Sequence, residues 1–332
     1  MFLIFFNDLP KSTLLYILLF ADDTTLLASG KNLIELVDFV NTELQKISAW
    51  FRANKMALHP LKTKFTVFYP KPENVPWDRL YVYIDENDPG APNPDPNLKR
   101  QIFHVNHQSE IPAIKFLGVY FDPALNFKYH VDKLNIKLSK ALFLLRRCKN
   151  ILDIKALKSL YYSTFHCHLL HGVLIYSSAN MSILRQISKK QKLAIRCITG
   201  SKYNAHTDPL FKKHKIMRFE DMQNYYSMQF MHDFKHGRLP ILFINAWQTV
   251  EEANPRYPLR NASDYAIPRH RIELVKHFPS WFMPRIWNEF NHINELKDIL
   301  SRASFLVKLK EFTFNQLSST CILPNCYICN RT

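Results

Sequence analysis

Two adjacent carboxylates, Asp22 and Asp23, are the side chains of this sequence best suited to chemistry. They follow an apolar run at residues 16–20 and precede a second short apolar run at residues 25–28. Aspartate and threonine between β-forming segments favour a strand–turn–strand hairpin with the carboxylates at its tip. Because like charges held close together resist joint ionisation, a hard divalent cation such as Mg²⁺ or Mn²⁺ would stabilise the pair. The sequence therefore predicts a metal-binding hairpin, and a solvated turn is the alternative.

The flanking residues add a resemblance to a known enzyme family. Residues 20–24, Phe-Ala-Asp-Asp-Thr, resemble the catalytic hairpin of reverse transcriptases, in the branch of the non-LTR (LINE-like) retrotransposons. Upstream of the hairpin, residues 2–10 resemble the segment that follows the template-contacting glycine turn in those polymerases. Residues 44–64 resemble the helix and Lys-Thr turn that come after the hairpin in the palm. Residues 116–122, Phe-Leu-Gly-Val-Tyr-Phe-Asp, resemble the strand pair that grips the primer. Four motifs in the family's order make the resemblance specific.

The resemblance implies an RNA-directed DNA polymerase, a nucleotidyltransferase that uses two metal ions. Its partners would be an RNA template, a DNA primer duplex and deoxynucleoside triphosphates, with Asp22 and Asp23 as catalytic and Mg²⁺-binding residues. The implied primer or template contacts are Phe116, Leu117, Gly118, Lys62 and Lys64. For the lysines a solvated turn is the alternative, and for Gly118 an ordinary turn glycine beside core residues is the alternative.

The family's third metal-binding carboxylate lies on a strand upstream of the Asp-Asp hairpin. Only 21 residues precede Asp22, and Asp8 among them is not expected to lie on such a strand. We therefore expect this chain to lack the fingers and the first catalytic aspartate, and to be inactive alone. It would be the C-terminal part of a transposable-element polymerase. The alternative is a non-catalytic nucleic-acid-binding fragment or the product of a pseudogene.

The charge of the chain favours a polyanionic partner. Lysine and arginine number 44 against 28 aspartates and glutamates, and residues 128–200 hold fourteen basic residues against Asp132 and Asp153. Nucleic acid is the commonest partner of such a surplus, and no apolar run approaches the roughly 20 residues of a membrane-spanning helix. A basic helical region after the palm resembles the thumb, which grips the duplex. The candidate contacts are Lys133, Lys137, Lys140, Arg146, Arg147, Lys189, Lys190 and Lys192.

The pattern of apolar residues predicts an α+β chain in three parts. Residues 1–125 would form an antiparallel palm sheet with one helix behind it, interrupted by an irregular extended hairpin at residues 70–112. Residues 126–200 would form the basic thumb, and residues 201–332 a mostly helical region of unknown role. The predicted strands are residues 65–69, 80–84, 101–105 and 114–121. The predicted helices include residues 33–52, capped by Asn32 with Glu35, a helix from about 127 with an apolar stripe, and residues 156–176, 183–199 and 305–317.

The six cysteines are too few for a disulfide scaffold in a chain of 332 residues. We expect Cys148, Cys167 and Cys197 to be buried thiols of an intracellular protein, in the nucleus or the cytoplasm. Cys321, Cys326 and Cys329 have spacing that could bind zinc, although no fourth ligand is evident. A further histidine group, His166, His168 and His171, is expected to serve the core or the surface, because positions 166 and 168 point to opposite sides of a helix.

Overall fold

The computed structural model describes residues 6–56, 58–59, 61–85, 99–253, 262–271, 273–290 and 294–317. The chain divides into two compact units: one contains Met1–Phe116 and Tyr120–Leu125, and the other contains Leu117–Val119 and Asn126–Thr332. Helices and small sheets occur together, which confirms the predicted α+β class.

The first unit holds short strands and one long helix. In chain order the elements are β1 (Tyr16–Phe20), β2 (Asp23–Leu27), α1 (Leu33–Ala53), β3 (Lys64–Phe65), β4 (Tyr83–Asp85), β5 (Lys99–Gln101), β6 (Phe103–His104) and β7 (Ile114–Phe116), which pairs with β8 (Val119–Phe121). Among the described residues the strands form four two-stranded sheets, and the β3–β6 pair is parallel. This arrangement differs from the single antiparallel sheet that the sequence predicts.

Helix α1 organises the core of the first unit. Asn32 caps it as predicted: its side-chain oxygen accepts from the Ile34 amide at 3.1 Å, and its amide nitrogen donates to Glu35 at 2.8 Å. The apolar face of the helix, including Leu44 and Ile47, is buried against side chains of other elements in one cluster. That cluster includes Val82, Ile84 and Ile102, with Ile17 of β1 and Leu26 of β2 packed against it. The hairpin that carries the carboxylates therefore packs against the same apolar cluster as α1.

Three predicted strands are shorter than the sequence suggests. The strand predicted at residues 65–69 is limited to Lys64–Phe65, because β6 offers it only two partners, Phe103 and His104. The segments predicted at 80–84 and 101–105 become β4, β5 and β6, and β4 pairs antiparallel with β5. The predicted extended hairpin therefore exists at its base, and residues 86–98 lie outside the described residues. β-Composition alone does not fix strand length, because a strand also needs a neighbour for its backbone groups.

The second unit is helical. Its helices are α2 (Lys128–Cys148), α3 (Ile154–Tyr161), α4 (Cys167–Leu170), α5 (Val173–Tyr176), α6 (Met181–Thr199), α7 (Asp208–His214), α8 (Phe219–Lys235), α9 (Val250–Ala253), α10 (Pro279–Glu289), α11 (Asn294–Lys297) and α12 (Arg302–Asn315). A π-helical turn, Tyr162–His166, joins α3 to α4. The apolar stripe of α2 is buried as predicted, and α6 begins and ends within two residues of the predicted bounds.

The helix predicted over residues 156–176 is interrupted. His171 adopts an extended backbone conformation and Gly172 has a φ of 72°, so the chain breaks between α4 and α5. Pro284, by contrast, lies inside α10 and does not interrupt it, although an interior proline normally breaks a helix. Proline has no amide hydrogen to donate to the Ser280 carbonyl one turn earlier. That carbonyl instead accepts from the indole nitrogen of Trp247 at 3.3 Å, so tertiary packing makes the proline tolerable.

Two further expectations concern the burial of three cysteines and the possibility of a membrane-spanning helix. Cys148, Cys167 and Cys197 are free thiols, but Cys167 is exposed and the other two are partly exposed, so the prediction that all three are buried is wrong. Helical spacing alone did not decide which face each thiol occupies. None of the helices in the described parts of the chain is long and apolar enough to span a bilayer.

Candidate functional site

The β1–β2 hairpin places the two carboxylates at its tip. Antiparallel pairing runs from Tyr16 opposite Leu27 to Phe20 opposite Asp23, which leaves Ala21 and Asp22 as a two-residue turn. Ala21 has a φ of 52°, in the left-handed region that costs a residue with a Cβ about 1–2 kcal/mol. Five consecutive residue pairs hold the turn in this conformation. The predicted strand–turn–strand geometry is therefore present, with Asp22 and Asp23 both exposed.

The chemistry available at this tip is limited by its donor set. Two carboxylates are hard oxygen ligands of the type that Mg²⁺ takes. Within the described residues, however, no group of three or more histidine, cysteine, aspartate or glutamate side chains could hold a metal ion. Asp22 and Asp23 therefore supply part of a divalent-cation site. A complete site would need at least one further ligand from outside the described residues or from a bound phosphate.

The two lysines predicted to contact primer or template lie in and beside a tight turn. The backbone amides of Lys62 and Thr63 both donate to the carbonyl of His59, at 3.1 and 3.0 Å. Lys64 is the first residue of β3, opposite Phe103. Both lysine side chains are exposed. Their position suits contact with an anion and equally suits a solvated turn.

The turn that joins β7 to β8 is formed by Leu117 and Gly118, with φ angles of 45° and 87°. In the second unit this turn lies against the break between α4 and α5. The ring nitrogen Nε2 of His171 donates to the Leu117 carbonyl at 2.8 Å. A Cβ on Gly118 would lie 2.5 Å from that nitrogen, and a Cβ on Gly172 would lie 2.6 Å from Cγ2 of Val119. Two glycines thus permit a close approach that no other residue allows.

This contact gives a specific role to His171, which the sequence predicts only as a core or surface histidine. His171 holds the turn of the predicted primer-contacting motif, whereas His166 and His168 join no described group that could bind a metal. The available signal was the His171-Gly172 pair inside an otherwise helical pattern, because a glycine there marks a break or a close approach.

Helix α2 carries most of the predicted nucleic-acid contacts. Lys133, Lys137, Lys140 and Arg147 recur at spacings of four, three and seven residues, so they line one face of the helix over about 21 Å. All four side chains are exposed, as is Arg146 beside them. Aromatic rings on the same helix lie under two of the cations. Nζ of Lys133 is 5.1 Å from the ring centre of Tyr129, and the guanidinium of Arg147 is 5.3 Å from that of Phe143.

The basic residues of α6 have different surroundings. Lys189 is exposed, whereas Nζ of Lys190 donates to the Asn135 carbonyl at 2.6 Å and to Oγ of Ser139 at 2.8 Å. Partial burial lowers the pKa of Lys190, and its ammonium holds α6 against α2. Lys192 lies 3.7 Å from the carboxylate of Glu220. Of the three lysines on α6 that are predicted to contact nucleic acid, Lys189 is the one whose ammonium makes no hydrogen bond or ion pair with another described residue.

The cysteines predicted to bind zinc, Cys321, Cys326 and Cys329, lie outside the described residues.

Comparisons with protein-family models, with curated proteins and with solved structures found no match. The family therefore stays a resemblance carried by the motifs.

Proposed function

We propose that this chain carries the Asp-Asp hairpin, the primer-contacting turn and the basic helices of a reverse transcriptase of the non-LTR retrotransposon type, and that its own activity is to bind nucleic acid. The observation that supports binding is the stripe of Lys133, Lys137, Lys140 and Arg147 on α2. Duplex DNA presents about one phosphate per 1.7 Å of axis, so a basic face of about 21 Å can neutralise several phosphates at once.

The cations of the stripe are suited to this task in two ways. They are exposed, so they pay little desolvation until a phosphate replaces their water. The rings of Tyr129 and Phe143 restrict two of them, which reduces the side-chain entropy lost on binding. Such contacts read charge and shape and not base sequence.

In a polymerase of this type, Mg²⁺ would polarise the attacking hydroxyl and the phosphates of a deoxynucleoside triphosphate. Asp22 and Asp23 would be two of its ligands. Because the described residues supply no third ligand, we propose no catalytic role for this chain acting alone.

Binding is tested with a labelled RNA–DNA hybrid at increasing salt. We expect the logarithm of the binding constant to fall linearly with the logarithm of salt concentration, and Lys137→Gln to reduce the slope by about 0.9. Lys308→Gln, at an exposed position on α12, is the matched control and should leave the slope unchanged. Salt-independent binding, or equal effects of the two variants, would contradict the proposed interface.

Catalysis is tested by primer extension with Mg²⁺ on the same hybrid. We expect no nucleotide incorporation by the chain alone. Incorporation that Asp22→Asn or Asp23→Asn abolishes would show that the site is complete, and it would replace the binding role with a polymerase activity.

A further inference from the structure

A cavity of about 360 Å³ lies in the second unit, between α6 and the first turns of α8. Its apolar wall includes Leu184 and Phe219, which are buried, and Met181, whose side chain is largely exposed. The volume is near the lower end of the roughly 300–1,000 Å³ of small-molecule sites. The cavity can therefore hold one compact, partly apolar group.

The rim of the cavity is basic. Arg185, Lys189 and Lys192 line it at spacings of four and three residues along one face of α6. Glu220 is the acidic residue among the lining side chains, and its charge is offset by Lys192 at 3.7 Å. Arg185 and Lys189 are exposed and make no ion pair with any residue in the described part of the chain. The net charge at the rim is positive, which favours a ligand with an anionic end.

The lining also contains hydrogen-bonding groups. Ser177, Ser188 and Gln223 contribute to it, and both serines are buried. Oγ of Ser177 has no hydrogen-bond partner among the described residues. A buried hydroxyl without a partner costs about 1–3 kcal/mol, and a bound polar group can recover that cost. An occupant with hydrogen-bonding edges fits this lining better than a purely apolar one.

We infer that this cavity binds one unpaired nucleotide of a nucleic-acid strand, with the base inside and the neighbouring phosphates on Arg185 and Lys189. A base offers a flat apolar surface and polar edges, and its backbone places an anion on each side. Bases in a duplex are stacked and paired and cannot enter. The inference deepens the proposed nucleic-acid binding, on which it rests, and it assigns a preference for single-stranded or bulged substrate that the α2 stripe does not supply.

The first measurement needs no variant. A single-stranded oligonucleotide of twelve nucleotides that contains 4-thiouridine is irradiated in the presence of the full chain, and the crosslinked peptide is identified. We expect crosslinks within residues 177–192 or 219–223. Crosslinks confined to α2 would overturn the inference and leave the proposed function standing.

The second measurement compares fluorescence anisotropy of the same unmodified single strand and a blunt duplex of equal length. Gln223→Trp places a bulky side chain in the cavity, and Asn224→Trp places the same side chain at the neighbouring exposed position. We expect Gln223→Trp to weaken single-strand binding about tenfold, the value of roughly one base contact, and to leave duplex binding unchanged. Asn224→Trp should change neither, and thermal melting of both variants checks their folding.

Charge reversal separates the cavity from the stripe. Arg185→Glu should weaken single-strand binding more than duplex binding, whereas Lys140→Glu should weaken both equally. Equal affinities of the wild type and Gln223→Trp for the single strand would overturn the inference. Displacement of the strand by polyglutamate at equal charge concentration would also overturn it, because it would indicate a site for an acidic peptide. If the wild type bound neither the single strand nor the duplex, the proposed function itself would be contradicted.

Discussion

The two hairpins whose residues carry the predicted polymerase motifs have turns of equal length and opposite surroundings. Each joins its strands through a two-residue turn, in which one residue (Ala21) has a positive φ at the first hairpin and both residues (Leu117 and Gly118) do at the second. The turn of β1–β2, at Ala21 and Asp22, is exposed. The turn of β7–β8, at Leu117 and Gly118, lies against His171 and Gly172.

The difference separates a tip that can receive a ligand from a turn that is fixed by its neighbours. At the first hairpin the strained residue is an alanine, which places the neighbouring carboxylates in solvent. At the second, a glycine on each side of the contact removes the atoms that would collide. Substitutions at the second turn should therefore act on stability, and those at the first should have small effects on folding.

The largest expected effect is that of Gly172→Ala. The added methyl would lie 2.6 Å from Cγ2 of Val119 at a φ of 72°, so both collision and backbone strain oppose it. We expect a loss of about 3 kcal/mol in the free energy of unfolding, measured by urea denaturation.

Gly200→Ala is the control for that substitution, because Gly200 has a φ of 65° and nothing within 4 Å of an added Cβ. It should cost only the backbone strain, about 1 kcal/mol. Equal losses in the two variants would show that the contact between Gly172 and Val119 is unimportant.

The second effect is a pH dependence near the same contact. His130 on α2 packs on the ring of Tyr176 with centroids 5.0 Å apart. Its burial lowers its pKa to about 4, and the charges of His171 and Lys137 act in the same direction. The unfolded chain therefore takes up this proton first on acidification. The contribution to stability is complete above pH 6.5 and is lost as the pH falls from about 6.5 to 4.

We expect that loss to be on the order of 2 kcal/mol, and His130→Gln should remove it. Urea denaturation of both proteins at pH 7.5, 6, 5 and 4 measures it, because the other histidines contribute equally to each. A constant difference in unfolding free energy across these pH values would contradict the assignment.

The third effect is a coupling between Gly118 and His171. Gly118→Ala should cost about 2 kcal/mol in the wild type, because its methyl would meet Nε2 of His171. In a His171→Ala background it should cost about 1 kcal/mol, the strain of the backbone alone. A double-mutant cycle by urea denaturation gives the coupling, about 1 kcal/mol. Strict additivity would show that the ring moves aside without loss.

The smallest effect is expected at the exposed hairpin. Ala21→Gly removes a Cβ from a left-handed residue and should raise the free energy of unfolding by up to about 1 kcal/mol, measured by thermal melting. Ala28 follows β2 and is not among the described residues with a positive φ. Ala28→Gly should therefore lower the free energy of unfolding by a few tenths of a kcal/mol. A loss at position 21 as large as at position 172 would remove the contrast between the two turns.

Local pattern was sufficient for several elements of this chain. The apolar runs around Asp22 and Asp23 predicted the hairpin, Asn32 with Glu35 predicted the start of α1, and the spacing of apolar residues predicted α2 and α6. Each of these depends on residues close in sequence, through alternation, capping or helical periodicity. The exposed stripe of α2 follows from the same periodicity, since the buried face determines the opposite one.

Other features depended on partners distant in sequence. The length of β3 depended on β6, the tolerance of Pro284 on the indole of Trp247, and the use of Lys190 on a carbonyl of α2. The break at Gly172 and the role of His171 depended on a turn more than fifty residues earlier. The cavity beside α6 needed α8 to close it.

The sequence by itself thus determined the Asp-Asp hairpin, helices α1, α2 and α6, and where the charge lies, because those choices are local. Only the tertiary structure decided which lysines keep their charge for a ligand, which turn is fixed and which is open. Those properties require atoms from different elements to meet at hydrogen-bonding or van der Waals distance, and no spacing along one segment specifies such a meeting.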